Sequence, residues 1–337
     1  MKSTVRRLIA SVLYYSGALW LLAGRSLRGR IVVLMYHRVL PDHIDSHSAR
    51  GIIVSDATFN RQLRFLRRFF NPLTLEQFNE VLHRRRELPR NACLVTFDDG
   101  WFDNHAYALP LLRKHRVPAV IFAATGYVGT EHCFWQERLA RAVFRLRKEP
   151  RAESFLRDIG GEHLAKVDDA LARDAVRTLV TQIKSRPAAE IESMTARAFE
   201  LLREYSLPTD HGDDRFLTWP EAAELAHSDV VQIGSHAQSH TPLPRLAPVE
   251  LRKELNESRD VLTRRLQTPI ESFAYPNGDY SPASVASVRE AGYSLAFTTD
   301  SGYAQPGIDP LRIPRVNIHE GGTATSAEFL CRILRLL

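Results

Sequence analysis

Six short apolar runs recur along this chain, at 31–36, 92–97, 117–123, 230–233, 270–274 and 294–298. Each is the length of a buried strand. Between most of them lie segments with apolar residues at helical spacing. Phe59, Leu63, Leu66 and Phe70 mark one helix over 58–70. Thr74 and Gln77 have capping-box spacing at the head of a second, over 74–85. Further helices are predicted over 107–115, 220–226, 248–266 and 281–291. A C-terminal helix is predicted from Ser326, with Thr325 and Glu328 as a capping box. Strands that alternate with helices form parallel βαβ units. Such a fold gathers functional groups at the C-terminal ends of its strands. His37, Asp98 with Asp99, His236 and the turn Pro276-Asn277-Gly278 all fall at or just beyond such ends.

The alternation stops between about 131 and 215. That stretch is rich in Arg, Ala, Leu and Glu and poor in strand signals. It reads as several helices inserted into the α/β frame, not as a separate catalytic domain. The domain plan is therefore a frame of 31–130 and 216–320, the insertion 131–215, a C-terminal helix within 321–337 and an N-terminal segment 1–30.

The N-terminal segment is apolar from Leu8 to Ala23, with Lys2, Arg6 and Arg7 before it and Arg25, Arg28 and Arg30 after it. It is shorter than the ~20 apolar residues of a membrane span, and no small-residue cleavage site follows it. A helix lying on an anionic membrane surface or packed on the core fits best; a short signal anchor and a cleaved signal are the alternatives. Elsewhere the charge is mild, +6 from 45 basic and 39 acidic residues. No dense basic stripe of the kind that binds nucleic acid is present, so no nucleic-acid partner is expected. Cys93, Cys133 and Cys331 are scattered and form neither a disulfide framework nor a paired zinc motif.

Asp98 and Asp99 pose an electrostatic problem, because adjacent carboxylates repel. A divalent metal would relieve it, and His236 and His240, four residues apart, offer imidazole ligands for the same ion. An Asp-His-His site with one carboxylate left for chemistry follows. The plainer alternatives are a capped Asp-Asp-Gly turn and a pair of inert loop histidines. His37 is either a group facing the site or a structural histidine, whereas His43 and His47 read as surface residues. Trp101, Trp135 and Trp219 read first as core residues and second as exposed stacking platforms.

The motifs TFDDG (96–100), SHAQSH (235–240) and FAYPNG (273–278), in this order, resemble those of the polysaccharide deacetylases of the NodB-homology type, carbohydrate esterase family 4. LMYHRV (34–39) and RIPRVNI (312–318) make the chain similar to the exopolysaccharide-associated branch, in which an N-terminal Tyr-His supplies a group that other members take from a C-terminal motif. The resemblance covers roughly 31–318. It implies a distorted, often seven-stranded (β/α)7-type barrel with one divalent metal, usually zinc. Carried over by position, it makes Asp99, His236 and His240 the metal ligands, Asp98 the general base and His37 the general acid. The turn at Tyr275 and Asn277 would supply substrate or oxyanion contacts. The activity implied is removal of N-acetyl groups from amino sugars of a polysaccharide, oligosaccharide or lipid-linked glycan. The location expected is the bacterial cell envelope, with peripheral membrane contact through the apolar and basic segment 1–30. A carbohydrate O-acetyl esterase and a non-catalytic glycan-binding scaffold are the alternatives.

Three positions depart from the family pattern. Ala274 stands where an arginine often orients the base, and Arg315 is the candidate to replace it. Asn277 stands where tyrosine is common, and Thr241 follows His240 in place of proline.

Overall fold

The computed structural model describes residues 3–44, 46–208 and 214–336. Its helices are α1 Ser3–Tyr15, α2 Ala18–Ser26, α3 Asp56–Phe69, α4 Leu75–Leu82, α5 Leu109–His115, α6 Trp135–Leu146, α7 Glu153–Asp158, α8 Asp169–Ile183, α9 Ala188–Glu204, α10 Trp219–Ala226, α11 Pro248–Leu266, α12 Pro282–Glu290 and α13 Ser326–Ile333. Seven parallel strands run β1 Ile31–Tyr36, β2 Ala92–Phe97, β3 Ala119–Ala123, β4 Val231–Ser235, β5 Ser272–Ala274, β6 Leu295–Ser301 and β7 Ile313–Asn317. Each pairs with the next, and β1 pairs with both β2 and β7, so the sheet closes into a barrel. This is the (β/α)7-type architecture that the alternation and the resemblance imply.

Two side-chain layers explain why the strands read as continuous apolar runs. Ile31, Val33, Leu94, Val120, Phe122 and Phe297 belong to a cluster that fills the barrel. The alternate residues Val32, Leu34, Cys93, Val95 and Ile121 pack outward under the helices. A parallel strand covered on both faces has no polar side. The register of β1 on β2 is unbroken from Ile31↔Ala92 to Tyr36↔Phe97, so the two strands end level.

β7 is absent from the sequence-based plan. Residues 302–312 join it to β6 without a helix, and Pro314 and Arg315 interrupt its apolar pattern. Its register on β6 shifts between Ile313 and Arg315. A shift of this kind is where a sheet tolerates proline, which cannot donate to the ladder. The helix expected over 107–115 also begins earlier, as a π-helical turn at Asn104–Ala108 that leads into α5. The capping boxes at Thr74–Gln77 and Thr325–Glu328 both form.

The N-terminal apolar segment is two helices, not one. The chain breaks at Gly17, whose φ of 83° is left-handed. Among the described residues no single helix is long and apolar enough to cross a membrane; α1 and α2 pass that test only as a pair bent by 80°.

The chain divides into two compact units, one of residues 1–43, 50–130 and 216–337 and one of 44–49 with 131–215. The second has its own core around Leu139, Val143, Leu146, Leu164, Val176 and Leu201. It also takes in His47, which the sequence pattern leaves on the surface. Ser46 and the His47 N–H both donate to the buried Asp214 carboxylate, at 2.9 and 3.2 Å. The His47 ring lies 5.1 Å from that of Phe144, and burial pushes its pKa down to about 4.

Candidate active site

The site grows out of the barrel's period-two pattern. Positions that continue the inward-facing series past Leu94, Gly234 and Ile313 are Asp98, His236 and Arg315. Two of them sit one residue beyond a strand yet remain tied to the ladder. The Asp98 N–H donates to the Tyr36 carbonyl and the His236 N–H to the Ala123 carbonyl, each at 3.0 Å. His37 follows β1 level with Asp98, because the β1–β2 register carries through to the strand ends.

Asp99 breaks the pattern. The next residue of a straight strand would point at the helices. With φ of 78° it leaves the strand, and Gly100 follows at 80°. A left-handed aspartate followed by a left-handed glycine is backbone strain of a kind found at functional sites. Gly100 has a second constraint, since a Cβ there would lie 3.1 Å from both Cα and Cβ of Ala123.

The two carboxylates therefore face different partners. Asp98 meets Arg315, whose two terminal nitrogens donate to Oδ1 and Oδ2 at 2.7 Å each. The guanidinium is fixed further by the Thr298 carbonyl at 2.8 Å and the Thr96 hydroxyl at 3.1 Å. The pair is buried, with side chains 0% and 3% exposed. Burial raises the Asp98 carboxyl, but the Arg315 charge and hydrogen bonds, helped by His236, outweigh it and hold the group below the usual carboxylate range.

Asp99 meets the histidines. Its Oδ1 lies 3.5 Å from His236 Nε2 and 3.4 Å from His240 Nε2. One ligating atom from each of the three residues falls within 4.8 Å of the others. The His236 Nδ1 lies 2.8 Å from the Ala274 carbonyl, which can only accept. That bond places the proton on Nδ1 and turns the Nε2 lone pair inward. Burial raises the Asp99 carboxyl, and the hydrogen bonds to His236 and His240 bring it well below the usual range. The cluster thus demands positive charge, as shared imidazole protons or as one cation. A carboxylate oxygen and two imidazole nitrogens are a donor set that suits a divalent transition metal. His240 is held in place by a left-handed φ of 58°.

A further layer was not legible as such. Trp101 is fully buried, so it is no sugar platform, and its Nε1–H donates to Asp99 Oδ2 at 2.8 Å. Arg38 lies 4.1 Å over the Trp101 ring and pairs with Asp103 at 2.8 Å. Asp103 also accepts the Val39 N–H at 2.9 Å, while the Asn104 amide donates to the His37 carbonyl at 2.8 Å. Residues 103 and 104, at the head of the π-helical turn, thereby fix the backbone that follows the His37 side chain. The His37 Nδ1 is buried without a hydrogen-bond partner among the described residues, and the charge of His37 lowers both aspartates. The sequence signals for this layer are an arginine after His37 and a tryptophan after Gly100.

The turn after β5 departs from expectation. Tyr275 is fully buried and its hydroxyl donates to the Leu311 carbonyl at 3.0 Å. Its N–H is taken by the Phe297 carbonyl, and that of Gly278 by the Tyr275 carbonyl. Tyr275 is a packing residue and not a side-chain substrate contact, because the alternation that turns Ala274 into the barrel turns Tyr275 outward under the helices. Asn277 is exposed, with φ of 56°. It remains the turn's candidate for a substrate contact.

Comparison with known proteins agrees with this geometry. The polysaccharide deacetylase family model matches residues 85–296. A Bacillus subtilis protein assigned to the polysaccharide deacetylases, YxkH, is 19% identical over 293 residues, covering 87% of this chain and 72% of that protein. The poly-beta-1,6-N-acetyl-D-glucosamine N-deacetylase of Escherichia coli K12 is 22% identical over 316 residues. That match covers 85% of this chain but only 36% of the Escherichia coli protein. Among solved structures, IcaB from Ammonifex degensii superposes with a TM-score of 0.59 at 21% identity, covering 90% of this chain and 97% of that one. The Streptococcus pyogenes deacetylase PplD, in complex with acetate, gives 0.56 at 19% identity, covering 88% and 95%. These structures share the fold.

Proposed function

The chain belongs to the polysaccharide deacetylase family, and on that premise we propose that it hydrolyses the N-acetyl groups of amino sugars in an exopolysaccharide, with polymers of N-acetylglucosamine as the leading substrate class. The observation that carries the reading is the separate placing of two adjacent carboxylates, Asp98 against Arg315 and Asp99 against the histidine pair. The substrate class is supported by similarity to the Escherichia coli enzyme, of which this chain spans about a third.

Asp99, His236 and His240 would hold one divalent metal, with zinc the metal expected for such donors. When bound, it supplies a Lewis acid for the acetyl carbonyl and makes a water molecule acidic. Asp98 is the base. Held below the usual carboxylate range, it is ionised at neutral pH, and the Arg315 fork fixes its plane. It accepts the proton of the attacking water. The carbon–nitrogen bond then breaks, and the leaving amine must gain a proton. His37 supplies it, since an imidazole at the end of β1, level with Asp98, is suited to give a proton to a leaving amine. Acetate and a free amino sugar leave. Asn277 is assigned a contact to the glycan at the rim.

The test is acetate release from N-acetylglucosamine oligomers and from O-acetylated xylan, before and after chelation and re-addition of zinc. We expect release from the amide substrate, abolished by chelation and restored by zinc. Release from the ester alone would make the enzyme an O-acetyl esterase, and no metal-restorable activity on either would overturn the reading. His37→Ala should slow the amide far more than an activated ester, whose leaving group needs no proton. Equal losses on both would remove His37 from the acid role.

A further inference from the structure

Helices α1 and α2 are apolar on two sides. Their inner side is spent on the barrel unit. Ala10, Leu19, Ala23 and Leu27 are buried in its core, and Trp20 lies 4.5 Å from Phe69 and 5.8 Å from Phe65, ring to ring. Arg7 pairs with Glu328 of α13 at 3.5 Å. The pair is therefore docked, and its outer side is not waiting to fold inward.

That outer side carries a stripe at helical spacing. Val5, Leu8, Ile9, Val12 and Tyr15 on α1 are 45 to 85% exposed, and Leu21 on α2 is 70% exposed. With Leu22, these are seven of the ten large apolar side chains exposed among the described residues. Burying even half of such a stripe is worth more than any surface ion pair, so its concentration in one place calls for an apolar partner.

Charge identifies the partner. No aspartate or glutamate precedes Asp42, while Arg6, Arg7, Arg25, Arg28 and Arg30 lie in or beside the helix pair. Arg25, Arg28 and Arg30 are exposed. A second copy of this chain would set these cations against one another, whereas anionic lipid headgroups complement them. Spanning is excluded for either helix alone: α1 has 13 residues, about 20 Å of helix, against a hydrocarbon core of about 30 Å. Two helices bent by 80° at their junction can both lie along one surface, as an interfacial anchor requires.

We propose that the outer face of α1 and α2 inserts into the interface of an anionic membrane and holds the enzyme there peripherally. The apolar stripe supplies the depth of insertion, and the arginines supply selectivity for anionic lipid.

The experiment is flotation of the full chain with vesicles of phosphatidylcholine alone or mixed with phosphatidylglycerol, at low and high salt. We expect binding to the mixed vesicles, weakened by salt. The triple variant Leu8→Ser, Val12→Ser, Leu21→Ser should bind about a hundredfold more weakly while its melting temperature holds. Arg25→Gln with Arg28→Gln should lose the preference for anionic lipid. Wild-type binding by the triple variant would overturn the proposal. So would a sedimenting dimer, dispersed by the triple variant, in a protein that ignores vesicles. Lipid binding is read without acetate release, so this result stands apart from that for the catalytic assignment.

Discussion

Asp98 and Asp99 are the same residue type, one peptide bond apart, both buried, yet they occupy opposite electrostatic worlds. Asp98 faces a guanidinium from β7 that fills both its oxygens. Asp99 faces two imidazoles and an indole N–H, none of which carries a permanent charge. One carboxylate is neutralised by the chain itself; the other is left needing a cation. The difference lies in geometry, since the left-handed φ of Asp99 turns it away from the direction that Asp98 takes. Adjacent like charges are tolerable when each is given its own counter-charge on a different wall of the barrel.

The sharpest way to break this comparison is to remove one function at a time. Asp98→Asn should lower turnover about a thousandfold while metal uptake, measured by equilibrium dialysis, stays intact. His236→Ala should do the reverse in order: metal is lost first and activity with it. If Asp98→Asn loses the metal, or His236→Ala keeps it, the division of labour is wrong.

A smaller effect is expected at Arg315. Arg315→Ala strands a buried carboxylate, which costs about 3–5 kcal/mol in urea unfolding. Arg315→Lys keeps the charge but not the fork and should lose less. The pair also has a pH signature. The folded Asp98 carboxyl lies below its unfolded value of about 3.9. Its contribution to stability is therefore fully present above that unfolded value and fades as pH falls through the folded one. The stability gap between the wild type and Arg315→Ala should narrow below about pH 4; a gap constant down to lower pH would mean the pair contributes by packing alone.

The smallest effect is expected at Trp101. Trp101→Phe keeps a ring in the core and deletes the indole N–H to Asp99. Metal affinity should fall about 10- to 100-fold, read by competition with a chelating dye, with little change in unfolding. A loss as large as that of His236→Ala would place Trp101 among the ligands' essential supports.

Much of this was legible in one dimension. Buried parallel strands leave continuous apolar runs, so six of the seven barrel strands announce themselves. The motifs at their ends mark Asp98, Asp99, His236 and His240. Arg315 could be nominated because Ala274 left a vacancy. What hid the rest was the irregularity of β7 and of the turns. A five-residue strand holding Pro314 and Arg315 has no apolar signature, and its register shift is set by the neighbour strand. Tyr275 sits in a motif that suggests the mouth, yet its place in the alternation turns it outward, with its hydroxyl on the Leu311 carbonyl. The Arg38–Asp103 pair joins residues 65 apart in sequence, and no local pattern reports such a partner.

The residue order alone settled which chemistry was available: two adjacent carboxylates, two histidines four apart, a histidine at a strand end and a spare arginine, hung on a parallel α/β frame. Local spacing encodes that much because strand and helix periods are properties of the backbone. Which aspartate meets the arginine and which meets the histidines was settled by barrel closure. It brings β7 and β2 to opposite sides of β1 and sends Arg315 across the interior to Asp98, 217 residues away in sequence. Burial there raises the stakes of every charge, so the pairing is imposed by the fold as a whole and by no segment of it.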